Sequence, residues 1–198
     1  MKLYQLTTTA IITLVSILGN PLESFSQKKF FIPSALAQNS WVNNPYRVEI
    51  TEKMSDREIR SFLSHLELLI EVSEADKKAI IEDLEKIESL KKSTPETNSV
   101  ICRVYKFVEA WEKAIKACER SLRGGYAFAY SYIDEAYVRT KKYNKAINSL
   151  KKYIRTFEGG DYFIFLERIY MRLGFIYFQL GDYAEAIRQY QKAVEVIE

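Results

Sequence analysis

The sequence predicts an all-α protein built from antiparallel helix hairpins, on three observations. An aromatic-x2-Ala-Ile pattern occurs at Trp111, Tyr143 and Tyr183, each time inside a stretch whose apolar residues keep a helical spacing. Upstream, two more stretches between Ser55 and Leu90 hold apolar faces of the same period. Proline is scarce, at four in 198 residues, and charges are interspersed rather than blocked, so little interrupts the helices.

Taken in order, residues 1–37 read as an export leader. Lys2 gives the positive start, Thr7 to Leu18 is an apolar run too short to span a bilayer comfortably, and Ala35-Leu36-Ala37 is an Ala-x-Ala cleavage signature. Cleavage there places the mature start near Gln38 or Asn39, in a periplasmic or extracellular compartment. Ser24-Phe25-Ser26 offers an earlier site. An uncleaved amino-terminal anchor is the alternative, and membrane contact is expected only in that case. Loss of the leader lowers the net charge from +3 to about +1.

Residues 38–94 comprise an extended lead-in, with Trp41 and Tyr46 placed to tack it down, and a helical pair. Ser55-x2-Glu58 is a capping box that opens the first helix, whose face is Ile59, Phe62, Leu63, Leu66 and Ile70. Ser73 and Asp76 open the second, with Ile80, Ile81, Leu84, Ile87 and Leu90 as its face. Ser93, Thr94 and Pro95 end it.

Residues 95–198 hold the recurring pattern, in segments of about 95–126, 127–160 and 167–198. The last reads Tyr170-x2-Leu173-Gly174-x2-Tyr177, then Gly181-Asp182-Tyr183, then Ala186-x3-Tyr190 and Ala193. The middle copy has Tyr130, Ile133, Tyr137, Ala146, Ile147 and Leu150, and the first has Tyr105, Ala114, Ile115 and Cys118. This half of the chain resembles the tetratricopeptide repeat family, whose pattern is Trp-x2-Leu-Gly-x2-Tyr with a later Ala-x3-Phe. The spacings here are 32 and 40 residues, against about 34 in the family, and Glu158-Gly159-Gly160-Asp161 lies in the longer junction. The resemblance implies a right-handed α-solenoid of stacked hairpins, with the amino-terminal pair as a diverged cap.

Aligning the copies places Cys102 where the last has Gly174, and Cys118 where it has Tyr190, so both point between the facing helices. Two readings stay open: a disulfide, which an exported protein can form, or two buried thiols. No Cys/His cluster, Gly-rich phosphate loop or Gly-x-Ser-x-Gly elbow is present, and His65 sits beside an apolar face without an evident partner. The expectation is a non-enzyme with no metal and no cofactor. The basic excess of the repeats is too diffuse for nucleic acid.

In the family, the first helix of each repeat lines a concave groove that receives a protein or peptide. By alignment, the resemblance implies a groove of Ser99, Arg103, Lys106 and Phe107, then Phe128, Ser131, Glu135, Val138 and Arg139, then Arg168, Met171, Phe175, Phe178 and Gln179. Met171, Phe175 and Phe178 lie off the Tyr170/Leu173/Tyr177 stripe and are expected to be free for a partner. The lysines and asparagines of the family's carboxylate clamp are missing from the matching places, so the groove suits a segment with acidic and apolar anchors. Self-association through the last repeat is the alternative.

Overall fold

A computed structural model describes residues 47–66, 73–90, 93–157 and 166–196. The expected leader, the lead-in with Trp41 and Tyr46, Ile70, and the Glu158 to Asp161 junction lie outside the described residues. Regular structure among the described residues is helical throughout: α1 (Asp56–Leu66), α2 (Glu74–Ser89), α3 (Pro95–Phe107), α4 (Trp111–Arg123), a 3-10 turn at Ala127–Ala129, α5 (Tyr130–Arg139), α6 (Tyr143–Phe157), α7 (Leu166–Gln179) and α8 (Tyr183–Glu195). Of these residues, those up to Thr156 make one compact unit and those from Phe157 onward another.

In the first unit, the starts of α1, α2 and α3 are fixed by their own sequence. The Ser55 amide donates to the Glu58 carboxylate at 2.7 Å and the Glu58 amide to the Ser55 hydroxyl at 3.3 Å, completing the capping box. These bonds hold the Glu58 carboxyl below its ordinary value. Ser73 caps α2 by accepting from the Asp76 amide, and Thr94 caps α3 from Thr97, with Pro95 in the first turn where its missing amide costs nothing.

Ile59, Phe62, Leu63 and Leu66 of α1 are buried, as are Ile80, Leu84 and Ile87 of α2. Each full burial of such a side chain contributes about 1.5–3 kcal/mol. Ile81 and Leu90, expected on the same face, are half-buried. The inward face of α2 is rotated to take in Asp83, whose carboxylate accepts from Arg47 at 2.9 and 3.2 Å.

α1 packs on α3, and Thr97 donates to Asp56 at the two helix starts at 2.5 Å. Glu88 of α2 accepts from the Tyr105 hydroxyl of α3 at 2.9 Å and pairs with Arg120 of α4, whose Nε donates to Asn98 at 3.1 Å. The amino-terminal pair is thereby tied to the first hairpin through a shared polar network. Burial, and then the Glu88 charge, drive the Tyr105 phenol far above its ordinary range. One hairpin on, Tyr137 of α5 donates to Glu119 of α4 at 3.1 Å, with the same upward effect.

The turns between paired helices repeat in atomic detail. The amides of Ala110, Lys142 and Asp182 donate to the carbonyls of Tyr105, Tyr137 and Tyr177 at 2.8, 2.7 and 3.0 Å. The residue before each amide is left-handed: Glu109 at φ 62°, Lys141 at 58° and Gly181 at 78°. Only the last is glycine, which takes this region without the cost a side chain adds.

The second unit is the α7–α8 hairpin. Leu166, Ile169, Tyr170, Leu173, Phe175 and Ile176 of α7 are buried, with Ala186 and Ala193 of α8. Gly174 lets the Tyr190 ring lie on the backbone, for a Cβ at that position would fall 2.7 Å from the ring. Burial pushes the Tyr190 phenol up to about 12 and the Arg172 guanidinium down to about 10.

Candidate interaction surface

The residues implied as a groove on α3 and α5 are brought together in the first unit. Arg103, Lys106 and Phe107 lie at i, i+3 and i+4 on α3 and so share one face. α3 packs on α5, and side chains of these first helices meet across the pair. Lys106 pairs with Glu135 at 2.8 Å, and the Arg103 guanidinium lies 5.3 Å from the centre of the Tyr132 ring. Phe107 ends the row at 36% exposure, a large apolar side chain open to solvent beside a charged pair.

Other expected members sit differently. Ser99 and Val138 are buried, and the Ser99 hydroxyl donates to the Glu96 carbonyl. Ser131 is half-buried and donates to the Phe128 carbonyl, while the Phe128 ring tilts against Tyr126 at 5.6 Å. The Arg139 guanidinium lies over the Trp111 ring of α4, at 5.4 Å. Tyr132 and Trp111, the two ring partners, were not among the groove residues the sequence implied. The signal for Tyr132 was its place 29 residues beyond Arg103, the same offset that joins Lys106 to Glu135.

In the second unit Arg168 and Gln179 are exposed and Met171 is half-buried. Phe178 is half-buried and stacks tilted on Tyr183, with ring centres 5.5 Å apart. Phe175 corrects the expectation of a free apolar side chain: it is buried at 8% exposure. Ile169 and Ile176 of α7, also off the Tyr170/Leu173/Tyr177 stripe, are buried as well, so the apolar core takes in more of this helix than one stripe.

Cys102 and Cys118 are bonded to each other, with Cα atoms 5.2 Å apart on the facing helices α3 and α4. Closing a loop of 16 residues contributes about 3 kcal/mol in the chain-entropy account. His65 is half-buried, with Nδ1 2.7 Å from the Ser61 carbonyl one turn earlier. Among the described residues, no group of three or more His, Cys, Asp or Glu is placed to hold a metal ion. No helix among them is long and apolar enough to cross a membrane.

Residues 167–198 match the tetratricopeptide repeat family. No curated protein matches the chain. Among solved structures, it is similar to a crystal structure of MamA at 21% identity and a TM-score of 0.58, over 72% of this chain and 78% of that one. A second crystal structure of MamA gives 21% identity and a TM-score of 0.59, over 72% and 73% of the two chains. These likenesses establish the fold: all-α and of the helical-hairpin solenoid class.

Proposed function

We propose that this chain, a tetratricopeptide-repeat protein, is an exported adaptor that holds a protein partner against the face of α3 and α5. The observation that carries the reading is the row Arg103, Lys106 and Phe107 on α3, which meets Tyr132 and Glu135 on the first helix of the next hairpin and leaves Phe107 open. Arg103 and Lys106 supply cations on this row, and the exposed ring supplies an apolar contact. A segment with a carboxylate near an apolar side chain complements both. Export is supported by the leader pattern and by the Cys102–Cys118 bond, which suits an oxidising compartment.

The test is capture of protein from an extract of the source cells by the purified oxidised chain. Arg103→Ala with Phe107→Ala should lower capture at least tenfold, with helical content and melting temperature unchanged. Undiminished capture by the folded double variant removes α3 from the binding surface.

A second reading is self-association through the second unit. Leu180, Tyr183 and Val194 are 46%, 46% and 56% exposed, more open than Phe107. Under that reading, mass measured by light scattering rises with concentration, and Tyr183→Ser with Val194→Ser returns the monomer.

A further inference from the structure

We propose that oxidation of Cys102 and Cys118 locks the α3–α4 hairpin in its fold, so that the face carried by α3 and α5 is held against local opening only where a disulfide oxidant is present. The slot these residues fill is structural in each hairpin. In α7–α8 it holds Gly174 under the Tyr190 ring, and in α5–α6 it holds Asp134 and Leu150, both fully buried. In α3–α4 it holds two cysteines at 0% exposure, with neither a ring nor a branched side chain to close the helices.

The same hairpin lacks some of the local supports that the last one has. Ala110 gives α4 no side-chain cap, and Glu109 carries its side chain through a left-handed turn. Asn98 stands where Tyr130 and Tyr170 lie beneath Lys152 and Lys192. Beside the buried Ile101, Val104, Ala114 and Ile115, α3 is joined to α4 by the disulfide, by Ser121 donating to the Pro95 carbonyl at 2.6 Å, and by the Arg120–Asn98 bond.

The chemistry is thiol–disulfide exchange. One cysteine thiolate attacks an oxidant disulfide, forms a mixed disulfide and releases the first oxidant thiol. The second cysteine thiolate then attacks the mixed bond and releases the other. Two protein thiols become one disulfide, and the oxidant is reduced to two thiols. Both attacks need access to sulfur, which the folded chain denies. Exchange therefore runs on the open hairpin and ceases once α3 and α4 close, so the bond is set during folding and not toggled afterwards. The consequence for partner binding rests on the reading of the α3–α5 face given above, whereas the folding claim does not.

Amide hydrogen exchange on the full chain, oxidised or refolded in excess dithiothreitol, tests the proposal. Amides of α3 and α4 should exchange about a hundredfold faster in the reduced protein, with fast exchange confined to that hairpin or spreading from it. Equal exchange rates in the two states overturn the proposal. The folded oxidised protein should also keep its bond in dithiothreitol for far longer than the urea-unfolded chain, and equal rates of loss overturn the claim that the bond is set once. If partner capture fails while α3 and α4 still differ between the two states, only the binding surface is at fault.

Discussion

The first hairpin, α3–α4, and the last, α7–α8, share one turn and almost none of the chemistry around it. Ala110 and Asp182 donate to Tyr105 and Tyr177 in the same way, and Glu109 and Gly181 both take the left-handed conformation. Around that frame the last hairpin uses the solutions its sequence pattern advertises: a glycine under a tyrosine ring, a capping aspartate, a lysine over Tyr170. The first substitutes a disulfide, an uncapped alanine and an Asn98–Arg120 bond. A repeat is thus defined by slots, and unrelated residue chemistry can fill them. The first hairpin also recruits outside help, since Tyr105 and Arg120 both reach Glu88 of α2.

The largest contrast to test is at Arg103 and Phe175, which occupy the same slot on α3 and α7. Phe175→Ala should cost about 3–5 kcal/mol because the ring is buried. Arg103→Ala should cost less than that, because the side chain is half-exposed and its guanidinium lies against the Tyr132 ring at the surface row rather than within an apolar core. Urea unfolding of the two variants reads the difference, and equal costs would erase the distinction between surface and core at this slot.

Gly174→Ala comes next, at about 1–3 kcal/mol, because the new Cβ meets the Tyr190 ring at 2.7 Å. Pairing it with Tyr190→Leu should recover part of the loss. If the single change is neutral, the ring is free to retreat and the close packing of α7 on α8 is not a constraint.

The smallest effect sharpens the comparison from the other side. Ala110→Asp, which copies Asp182, should stabilise the chain by about 1 kcal/mol by supplying α4 with its missing cap. No gain in thermal melting would mean that the start of α4 is already satisfied by other groups.

Much of this frame was legible in the residues. The capping box at Ser55 and Glu58, the apolar faces of α1 and α2, and the three aromatic-x2-Ala-Ile starts all report local geometry, which spacing encodes directly. Placing Cys102 and Cys118 on facing helices needed only the alignment of one copy on another. What eluded the sequence depends on three-dimensional neighbours. Phe175 lies off the stripe of its own hairpin, yet it is buried, which the period of a single helix does not specify. The Tyr105–Glu88 and Arg103–Tyr132 contacts join helices whose register no single-helix period specifies. The alignment of the copies therefore put Arg103, Lys106 and Phe107 on one face of α3 and missed the Tyr132 ring that meets it.

The claim that α3 presents the partner-binding face is tested most directly by placing a photo-crosslinking residue at position 107, and separately at Lys116 on α4, in the oxidised chain inside its source cells. Lys116 is exposed on the second helix of the same hairpin, so both sites share one fold and one compartment. A discrete adduct from position 107 that is absent from position 116, and lost on adding Arg103→Ala, is the predicted result. Adducts of equal yield from both positions, or from position 116 alone, would contradict the account.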